Sequence, residues 1–193
     1  MHQLSHYLFN NTLWMGWNIM LALIPFLLAQ HLFKPKSKIT WGWSLGFLAF
    51  ILFLPNAPYL FTDIIHWYGD TFRFSTVLQL FVMTVQFWIL MLAGYVLFVT
   101  SYRRFETFIL KKFDFEQGVL RLVTFIIVSV GVYLGRFIRL NSWDAIFQPK
   151  TFLKSIYSLH HSHALIFIAA YTGLLFALYF FYEKVQRKSF LLS

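Results

Sequence analysis

Long apolar runs separated by short polar segments define the pattern of this chain. Five such runs cover roughly residues 12–33, 39–54, 74–102, 118–140 and 162–182. An α-helix needs about 20 mostly apolar residues to cross the hydrocarbon core of a bilayer. The run at 39–54 is at the short end of that range and is expected to end at Pro55. The pattern predicts an all-α, polytopic transmembrane helix bundle with about five spans, forming a single integral membrane domain over residues 1–193.

A shorter segment before the last span has a different pattern. Within residues 148–161, QPKTFLKSIYSLHH, apolar residues alternate with lysine and serine at helical spacing. Pro149 suits the first turn of a helix, where its missing N–H costs no hydrogen bond. This pattern predicts an interfacial amphipathic helix that lies on the membrane surface and does not cross the membrane. Its apolar face consists of Phe152, Leu153, Ile156 and Leu159.

Composition strengthens the membrane interpretation and excludes several kinds of site. Hydrophobic residues make up 59% of the chain and charged residues only 12%, whereas a soluble domain is about 25% charged. The net charge is +9. The basic residues gather at the ends of the apolar runs, so the lipid bilayer is the expected partner and nucleic acid is not. Cysteine is absent, which excludes disulfides and thiolate metal sites.

The distribution of lysine and arginine predicts the orientation of the chain. Basic residues are enriched in cytoplasmic loops, and they divide eleven to five between the two predicted sides. The C-terminus is therefore expected in the cytoplasm, and the segments near residues 53–67, 131–144 and 158–163 are expected outside. The richer side has Lys34, Lys36, Lys38, Arg103, Arg104, Lys111, Lys112, Arg121, Lys184, Arg187 and Lys188; the other side has Arg73, Arg136, Arg139, Lys150 and Lys154.

The segment FLPNAPYLFTDIIHW, residues 53–67, interrupts the apolar pattern after the second run. Pro55 and Pro58 have no backbone N–H to donate, and each disfavours a helical conformation in the residue before it. The sequence therefore predicts a broken or re-entrant segment here. A helix is expected to restart near Thr62, because threonine is a favourable N-cap residue.

Three polar residues of this segment are candidate ligand-binding residues: Asn56, Asp63 and His66. In a helix that restarts near Thr62, Asp63 and His66 are three positions apart and share a face. An aspartate at membrane depth costs about 2.5–3.5 kcal/mol, which favours a functional role. A capped re-entrant turn, with His66 at the level of the lipid headgroups, is the structural alternative.

A second polar motif, GVYLGRFIRLNSWD, occupies residues 131–144. Its two glycines, Gly131 and Gly135, are four positions apart, a spacing that permits close helix approach. Arg136 and Arg139 lie three positions apart at the outer end of the fourth run, where basic residues are disfavoured. Two uses of the arginines remain open.

The first use is an internal ion-pair network with Asp63 or Asp144. The second is bidentate binding of an anionic headgroup, because the arginine fork matches carboxylate and phosphate geometry. Asn141 and Asp144 follow the arginines directly and complete the set of candidate ligand-binding residues in this motif.

A third motif, LHHSHA, offers His160 and His163 at helical spacing. Together with Asp63, His66 or Asp144, these imidazoles are candidate ligands for a divalent metal, which is the cofactor the residues would suit. Wet histidines at a membrane interface are the structural alternative.

Three stretches taken together resemble a known family: WNIMLALIP (17–25), FLPNAPYLFTDIIH (53–66) and GVYLGRFIRLNSWD (131–144). They resemble the integral membrane proteins grouped as domain-of-unknown-function family 1361, and the likeness covers roughly residues 12–185. The resemblance implies a bacterial multi-pass protein of the cytoplasmic membrane. It implies no activity.

Three functions are consistent with these features. The favoured hypothesis is an outward-facing polar site that binds or handles an anionic lipid or another envelope molecule, with Arg136 and Arg139 holding the anion. The second is a metal-dependent membrane hydrolase or transferase. The third is a membrane subunit whose polar motifs lock helices together and stabilise a partner protein. The sequence identifies no particular protein partner.

Overall fold

The computed structural model describes residues 2–72 and 76–191. The described residues contain no β-strand, and their helices confirm the predicted all-α bundle. Two 3₁₀ turns, at Leu60–Asp63 and Ser158–His160, and a π-helical turn at Leu134–Ile138 separate some of the helices. The helices are α1 (His2–Leu32), α2 (Trp41–Phe53), α3 (Asn56–Tyr59), α4 (Ile64–Thr71), α5 (Val77–Lys112), α6 (Gln117–Tyr133), α7 (Asp144–Phe147), α8 (Pro149–Tyr157) and α9 (Ser162–Leu191).

Five helical segments of the described chain are long and apolar enough to cross a membrane. Only 22% to 39% of the most apolar stretch of each segment is buried in the protein. The remaining apolar surface suits contact with lipid, because soluble monomers rarely expose large apolar patches. The architecture therefore indicates a multi-pass membrane protein. The segments are Asn11–Leu32, Trp41–Thr71, Val77–Lys112, Gln117–Ile138 and Ser162–Arg187.

Aromatic side chains fill the centre of the bundle. Helix α1 packs against α2 and α5, while α9 packs against α6. The buried Tyr102 ring lies 4.8 Å from the ring of Phe125 and 4.9 Å from that of Tyr179, measured between ring centroids. These contacts join α5, α6 and α9 into one core, since edge-to-face and tilted ring pairs add to the free energy of burial.

Glycine permits α3 to lie unusually close to two neighbouring helices. A Cβ atom at Gly94 of α5 would lie 2.6 Å from the carbonyl oxygen of Ala57, and one at Gly131 of α6 would overlap the ring of Pro55. Gly135 faces Tyr59, and a Cβ atom at Gly135 would lie 3.4 Å from the tyrosine ring. The close approach predicted from Gly131 and Gly135 is therefore present, and its partner is α3 and the proline before it.

The predicted break at Pro55 is confirmed, because α2 ends at Phe53. The apolar helical segment nevertheless continues past the break to Thr71, so the second span is longer than predicted. The backbone of Leu54, Pro55 and Leu60 stays in the right-handed helical region. The interruption distorts a helical segment of 31 residues, Trp41–Thr71, without reversing it. Side chains supply part of the missing pairing, because the Asn56 Nδ2 atom donates to the carbonyl oxygen of Phe53 at 3.0 Å.

The predicted N-cap at Thr62 is wrong. Asp63, in a right-handed helical conformation, occupies the cap position of α4 and makes no capping hydrogen bond. The Thr62 hydroxyl instead donates to the carbonyl oxygen of Tyr59 at 2.6 Å. This bond satisfies a carbonyl in the irregular stretch, which explains why threonine stands inside the segment rather than at its start.

The third and fifth spans are longer than the sequence predicted. Helix α5 continues to Lys112, ten residues beyond the predicted end at Tyr102, and α9 continues to Leu191. Three of the charged residues that were expected to close these spans, Arg103, Glu106 and Glu183, belong to one ion-pair cluster with Arg121, and the helices continue past them. The predicted start of the third span, Phe74, and the basic residue Arg73 lie outside the described residues, as does the side chain of Lys188.

The amphipathic helix predicted before the last span is present as α8, Pro149–Tyr157. Leu153 and Ile156 are exposed on it, as expected for a surface that meets lipid headgroups.

At the opposite end of the bundle, Glu116 caps α6 by accepting hydrogen bonds from the N–H groups of Gly118 at 2.9 Å and Val119 at 2.6 Å. These bonds favour the ionised carboxylate and lower the pKa of Glu116.

Candidate functional site

The two polar motifs of the sequence meet at one end of the bundle. The Asn56 Nδ2 atom of α3 donates to the Ser142 hydroxyl oxygen at 2.8 Å, although the residues are 86 positions apart in sequence. Asn56 thus bonds both to the end of α2, through the Phe53 carbonyl oxygen, and to the segment that follows α6. The structure brings the 53–67 and 131–144 motifs into direct contact.

Arg136 is the centre of this contact. Its Nε and Nη2 atoms donate to the Thr62 hydroxyl oxygen at 2.8 and 2.5 Å, and its Nη1 atom lies 2.8 Å from Nε2 of His66. Its Nη2 atom also forms a salt bridge with Asp63. The guanidinium carbon lies 4.5 Å from the centre of the Tyr59 ring. Arg136 is therefore held on several sides by the irregular segment.

The Asp63 carboxylate is completely buried, with 0% of its side chain exposed, and the Arg136 side chain is only 10% exposed. The Asp63 Oδ2 atom has no hydrogen-bond partner among the described residues. The charge of Asp63 is thus balanced by Arg136 alone in this part of the chain. This is the internal ion pair that the sequence offered as one use of the arginines.

Asp144 does not pair with either arginine. Its Oδ2 atom accepts hydrogen bonds from the backbone N–H of Asn141 at 2.7 Å and from the Asn141 side chain at 3.3 Å. This local bonding closes the turn that leads into α7, because a carboxylate two to three residues ahead satisfies a free N–H. The expected pairing of Asp144 with an arginine is therefore absent.

Arg139 differs from Arg136 in both backbone and side chain. Its φ of 62° and ψ of 35° place it in the left-handed region at the end of the π-helical turn. A non-glycine residue there costs about 1–2 kcal/mol. Arg139 is exposed, and its guanidinium forms no salt bridge or hydrogen bond within residues 2–72 and 76–191. Backbone strain of this kind is found most often at functional sites.

A cavity of about 710 Å³ lies beside these residues. Part of its wall is apolar and aromatic, with Trp14, Trp17 and Leu21 from α1 facing Ile51 and Leu52 from α2. The size is within the range of sites for small organic ligands. Its polar wall comprises Asn18, Asn56, His66, Arg136, Arg139, Asn141 and Ser142.

Five of the seven predicted ligand-binding residues therefore line one cavity, and Asp63 and Asp144 do not. Asp63 lies behind Arg136, and Asp144 is engaged in its own turn. Sequence reasoning assigned no role to Asn18, which stands inside α1 and whose Nδ2 atom is buried without a partner. A lone amide in an apolar run, next to two tryptophans, was the available indication.

The described residues do not assemble a metal site. They contain no group of three or more histidine, aspartate or glutamate side chains suited to a metal ion. His160 and His163 are exposed, and the Nδ1 atom of His160 contacts the carbonyl oxygen of Tyr157. The proposed partners Asp63 and Asp144 are bonded elsewhere. Within the described residues, the histidine motif therefore gains no third ligand from Asp63 or Asp144.

A second ionic cluster, at the opposite end of the bundle, was missed by sequence reasoning. Glu106 of α5 is 1% exposed, and its Oε1 atom lies 2.5 Å from Nε of Arg121. Arg121 also binds Glu183 of α9 at 2.6 Å, and the Tyr179 hydroxyl donates to Glu106 at 2.6 Å. Arg103 also belongs to the cluster, because its Nη1 atom lies 3.4 Å from Oε2 of Glu106. Two of the residues counted for orientation are therefore paired internally.

This cluster differs from the residues around the cavity in how its charges are paired. The Glu106 cluster ties α5, α6 and α9 together with two carboxylates and two arginines. Beside the cavity, Arg136 is paired with Asp63, and Arg139 forms no salt bridge with a described residue. The two carboxylates of this cluster therefore offset its two arginines, whereas no carboxylate of the described residues lines the cavity beside Arg139.

Comparison with known proteins gives one match. The model of a family described as "Protein of unknown function (DUF1361)" matches residues 17–178. No curated protein and no solved structure matches the chain. The matched range contains both polar motifs and all residues of the cavity wall except Trp14.

Proposed function

The chain belongs to the family of proteins of unknown function DUF1361, and we propose that it binds an anionic lipid or a similar envelope molecule in its cavity. The observation that carries this proposal is the division of the cavity wall. Apolar and aromatic side chains form one part, and two arginines with several neutral polar groups form the other. An amphipathic anion has the same two parts.

The two arginines have different roles in this proposal. Arg136 is committed to Asp63, Thr62 and His66, so it positions the wall and contributes positive potential. Arg139 has no protein counter-ion among the described residues and is the group that contacts the anion. The strained backbone of Arg139 fits this assignment, because such strain persists when a specific side-chain position is needed.

The orientation of the site is part of the proposal. The basic loops that follow α1 and α5 lie at the same end of the bundle, where Lys112 Nζ donates to the Ser37 carbonyl oxygen at 2.8 Å. The cavity lies at the other end. The excess of lysine and arginine in the former loops supports a cytoplasmic location for them and for the C-terminus. The cavity then faces outward from a bacterial cytoplasmic membrane.

The scaffold alternative has its own support in the structure. The Arg136–Asp63 pair and the Glu106 cluster are buried ion pairs of the kind that fix helix positions. A protein with only this role would have no use for an uncompensated Arg139 beside a cavity. The proposed lipid site accounts for Arg139, and the buried pairs account for the rigidity of its wall.

Replacement of Arg139 by glutamine tests the proposal. A charge-assisted hydrogen bond contributes about 1.5–3 kcal/mol. The affinity for anionic lipid should therefore fall about ten- to a hundredfold, and less lipid should stay bound. The measurement is mass spectrometry of the lipid that stays bound through detergent purification. Arg104→Gln is the matched control, because Arg104 is exposed at the other end of the bundle and its loss should leave lipid retention unchanged.

A second variant separates binding from folding. Arg139→Gly accepts the left-handed conformation at no steric cost, so its free energy of unfolding should equal or exceed that of the wild type by up to about 1 kcal/mol. It should still lose the lipid. Wild-type protein that retains no anionic lipid, or Arg139 variants that retain it fully, would refute the proposed function.

A further inference from the structure

The polar wall of the cavity has a restricted chemistry. It contains two arginines, a histidine, three asparagine amides and a serine hydroxyl, beside the tyrosine and tryptophan rings, and no aspartate or glutamate lines it. The amides and the hydroxyl are those of Asn18, Asn56, Asn141 and Ser142. The wall therefore offers positive charge and neutral hydrogen-bonding groups, and no negative charge within the part of the chain that the structure describes.

Two carboxylates close to residues of the wall are engaged elsewhere. Asp63 is fully buried against Arg136, and Asp144 binds the backbone of Asn141. An amine-bearing headgroup would bring an ammonium next to Arg139 without a counter-ion for it. Like charges at close range repel, and a site discriminates against a ligand by such a contact.

Asn18 adds a reason to expect hydroxyl groups in the ligand. It lies within the span Asn11–Leu32, where an unpaired polar group is costly. Its Nδ2 atom has no hydrogen-bond partner in the described protein, so this donor is left for a ligand. A hydroxyl both donates and accepts a hydrogen bond and can serve either atom of an amide.

We propose that the cavity selects a phospholipid headgroup that carries a phosphate and free hydroxyl groups but no amine, such as phosphoglycerol. This inference rests on the lipid-binding function proposed above and specifies its ligand class. Arg139 binds the phosphate, and Asn18 and Asn56 bind the hydroxyl groups. The tryptophans at residues 14 and 17 lie along the apolar chain side of the cavity.

The test compares ligands that differ in one feature at a time. Purified full-length protein in detergent is titrated with dioleoyl phosphatidylglycerol, phosphatidic acid and phosphatidylethanolamine, and with soluble glycerol phosphate, and dissociation constants are measured by native mass spectrometry. Phosphatidylglycerol should bind about tenfold more tightly than phosphatidic acid, the equivalent of one or two added hydrogen bonds. Phosphatidylethanolamine should bind more weakly than both. Glycerol phosphate, which lacks the acyl chains, should bind most weakly.

A matched pair of variants identifies the group that reads the hydroxyls. Asn18→Leu should reduce the ratio between phosphatidylglycerol and phosphatidic acid from about ten to about one. Asn11→Leu is the control, because Asn11 also has a buried, unpartnered amide nitrogen on α1 but does not line the cavity. It should leave the ratio unchanged.

The outcomes separate this inference from the function on which it rests. Equal binding of phosphatidylglycerol and phosphatidylethanolamine, both lost in Arg139→Gln, would overturn headgroup selection and leave lipid binding standing. An unchanged ratio in Asn18→Leu would overturn the role of Asn18. Glycerol phosphate binding as tightly as phosphatidylglycerol would support the headgroup chemistry and refute a lipid as its source. No binding of any of the four would overturn both proposals.

Discussion

Removal of the charge on Asp63 tests the buried ion pair at the cavity. Asp63→Asn keeps the size of the side chain and removes its charge, which leaves the Arg136 guanidinium in a site where its side chain is 10% exposed. Breaking a buried pair in this way costs about 3–5 kcal/mol. Arg136 keeps its contacts with Thr62 and His66, so the expected loss lies at the lower end. About 3 kcal/mol corresponds to about a hundredfold change in the unfolding equilibrium.

The reverse substitution should cost more. In Arg136→Met the Asp63 carboxylate, which is 0% exposed, loses its one salt-bridge partner among the described residues. Its Oδ2 atom has no hydrogen-bond partner even in the wild type. The expected loss is about 5 kcal/mol, the upper end of the range for an uncompensated buried charge. The double variant Asp63→Leu/Arg136→Met removes both charges and should be more stable than Arg136→Met alone, because two apolar groups leave no charge to desolvate.

Each variant is unfolded by adding a denaturing detergent to protein in a mild detergent. The loss of helix is followed by circular dichroism, which gives the free energy of unfolding. Asp114→Asn is the matched control, because Asp114 is exposed in the loop between α5 and α6 and should change stability by no more than about 0.5 kcal/mol. A loss for Asp63→Asn no larger than that of the control would refute the ion-pair reasoning. So would a double variant less stable than Arg136→Met.

Further predictions concern the opposite end of the bundle and the orientation. Glu106→Gln should lower the free energy of unfolding by about 1.5–3 kcal/mol, since Arg121 keeps Glu183; detergent unfolding measures it, and no loss would contradict a stabilising cluster. The Glu116 cap should stabilise the protein fully above the unfolded pKa of about 4.3 and less as pH falls through the lowered pKa of the folded state. The stability difference between wild type and Glu116→Gln should therefore shrink on acidification, and a difference that grows would show the wrong sign. Cysteines placed at Asp70 and Gln148 should react with an impermeant maleimide in intact cells, whereas cysteines at Lys36 and Gln186 should not, and the opposite pattern would invert the orientation.

The lengths of the spans illustrate where sequence reasoning succeeds and where it fails. The first and fourth spans were predicted to within a few residues, since each is bounded by residues that end an apolar run. The end of the second span was misplaced, because local preference treats Pro55 as a stop. In the folded protein Gly131 makes room for the proline ring, and the Asn56 side chain satisfies the carbonyl of Phe53.

The candidate site shows the same division. The sequence identified both polar motifs, and the structure brings them together as one wall of a cavity. It did not reveal that Arg136 is engaged by Asp63 while Arg139 is not, since the two arginines have the same side chain and nearly the same position at the helix end. The position of Asn18 in the cavity wall was equally hidden, because the cavity is formed with α2 and α6.

The sequence by itself determined the all-helical membrane architecture and the two segments where polar chemistry lies. Apolar run length, proline position and the placement of basic residues are local properties of the chain, and they act before any tertiary contact forms. Only the tertiary structure decided which charges are neutralised and which remain. Asp63 meets Arg136 across 73 positions and Tyr179 meets Glu106 across 73 positions. The burial and pairing of a charge depend on such distant partners, so no local pattern encodes them.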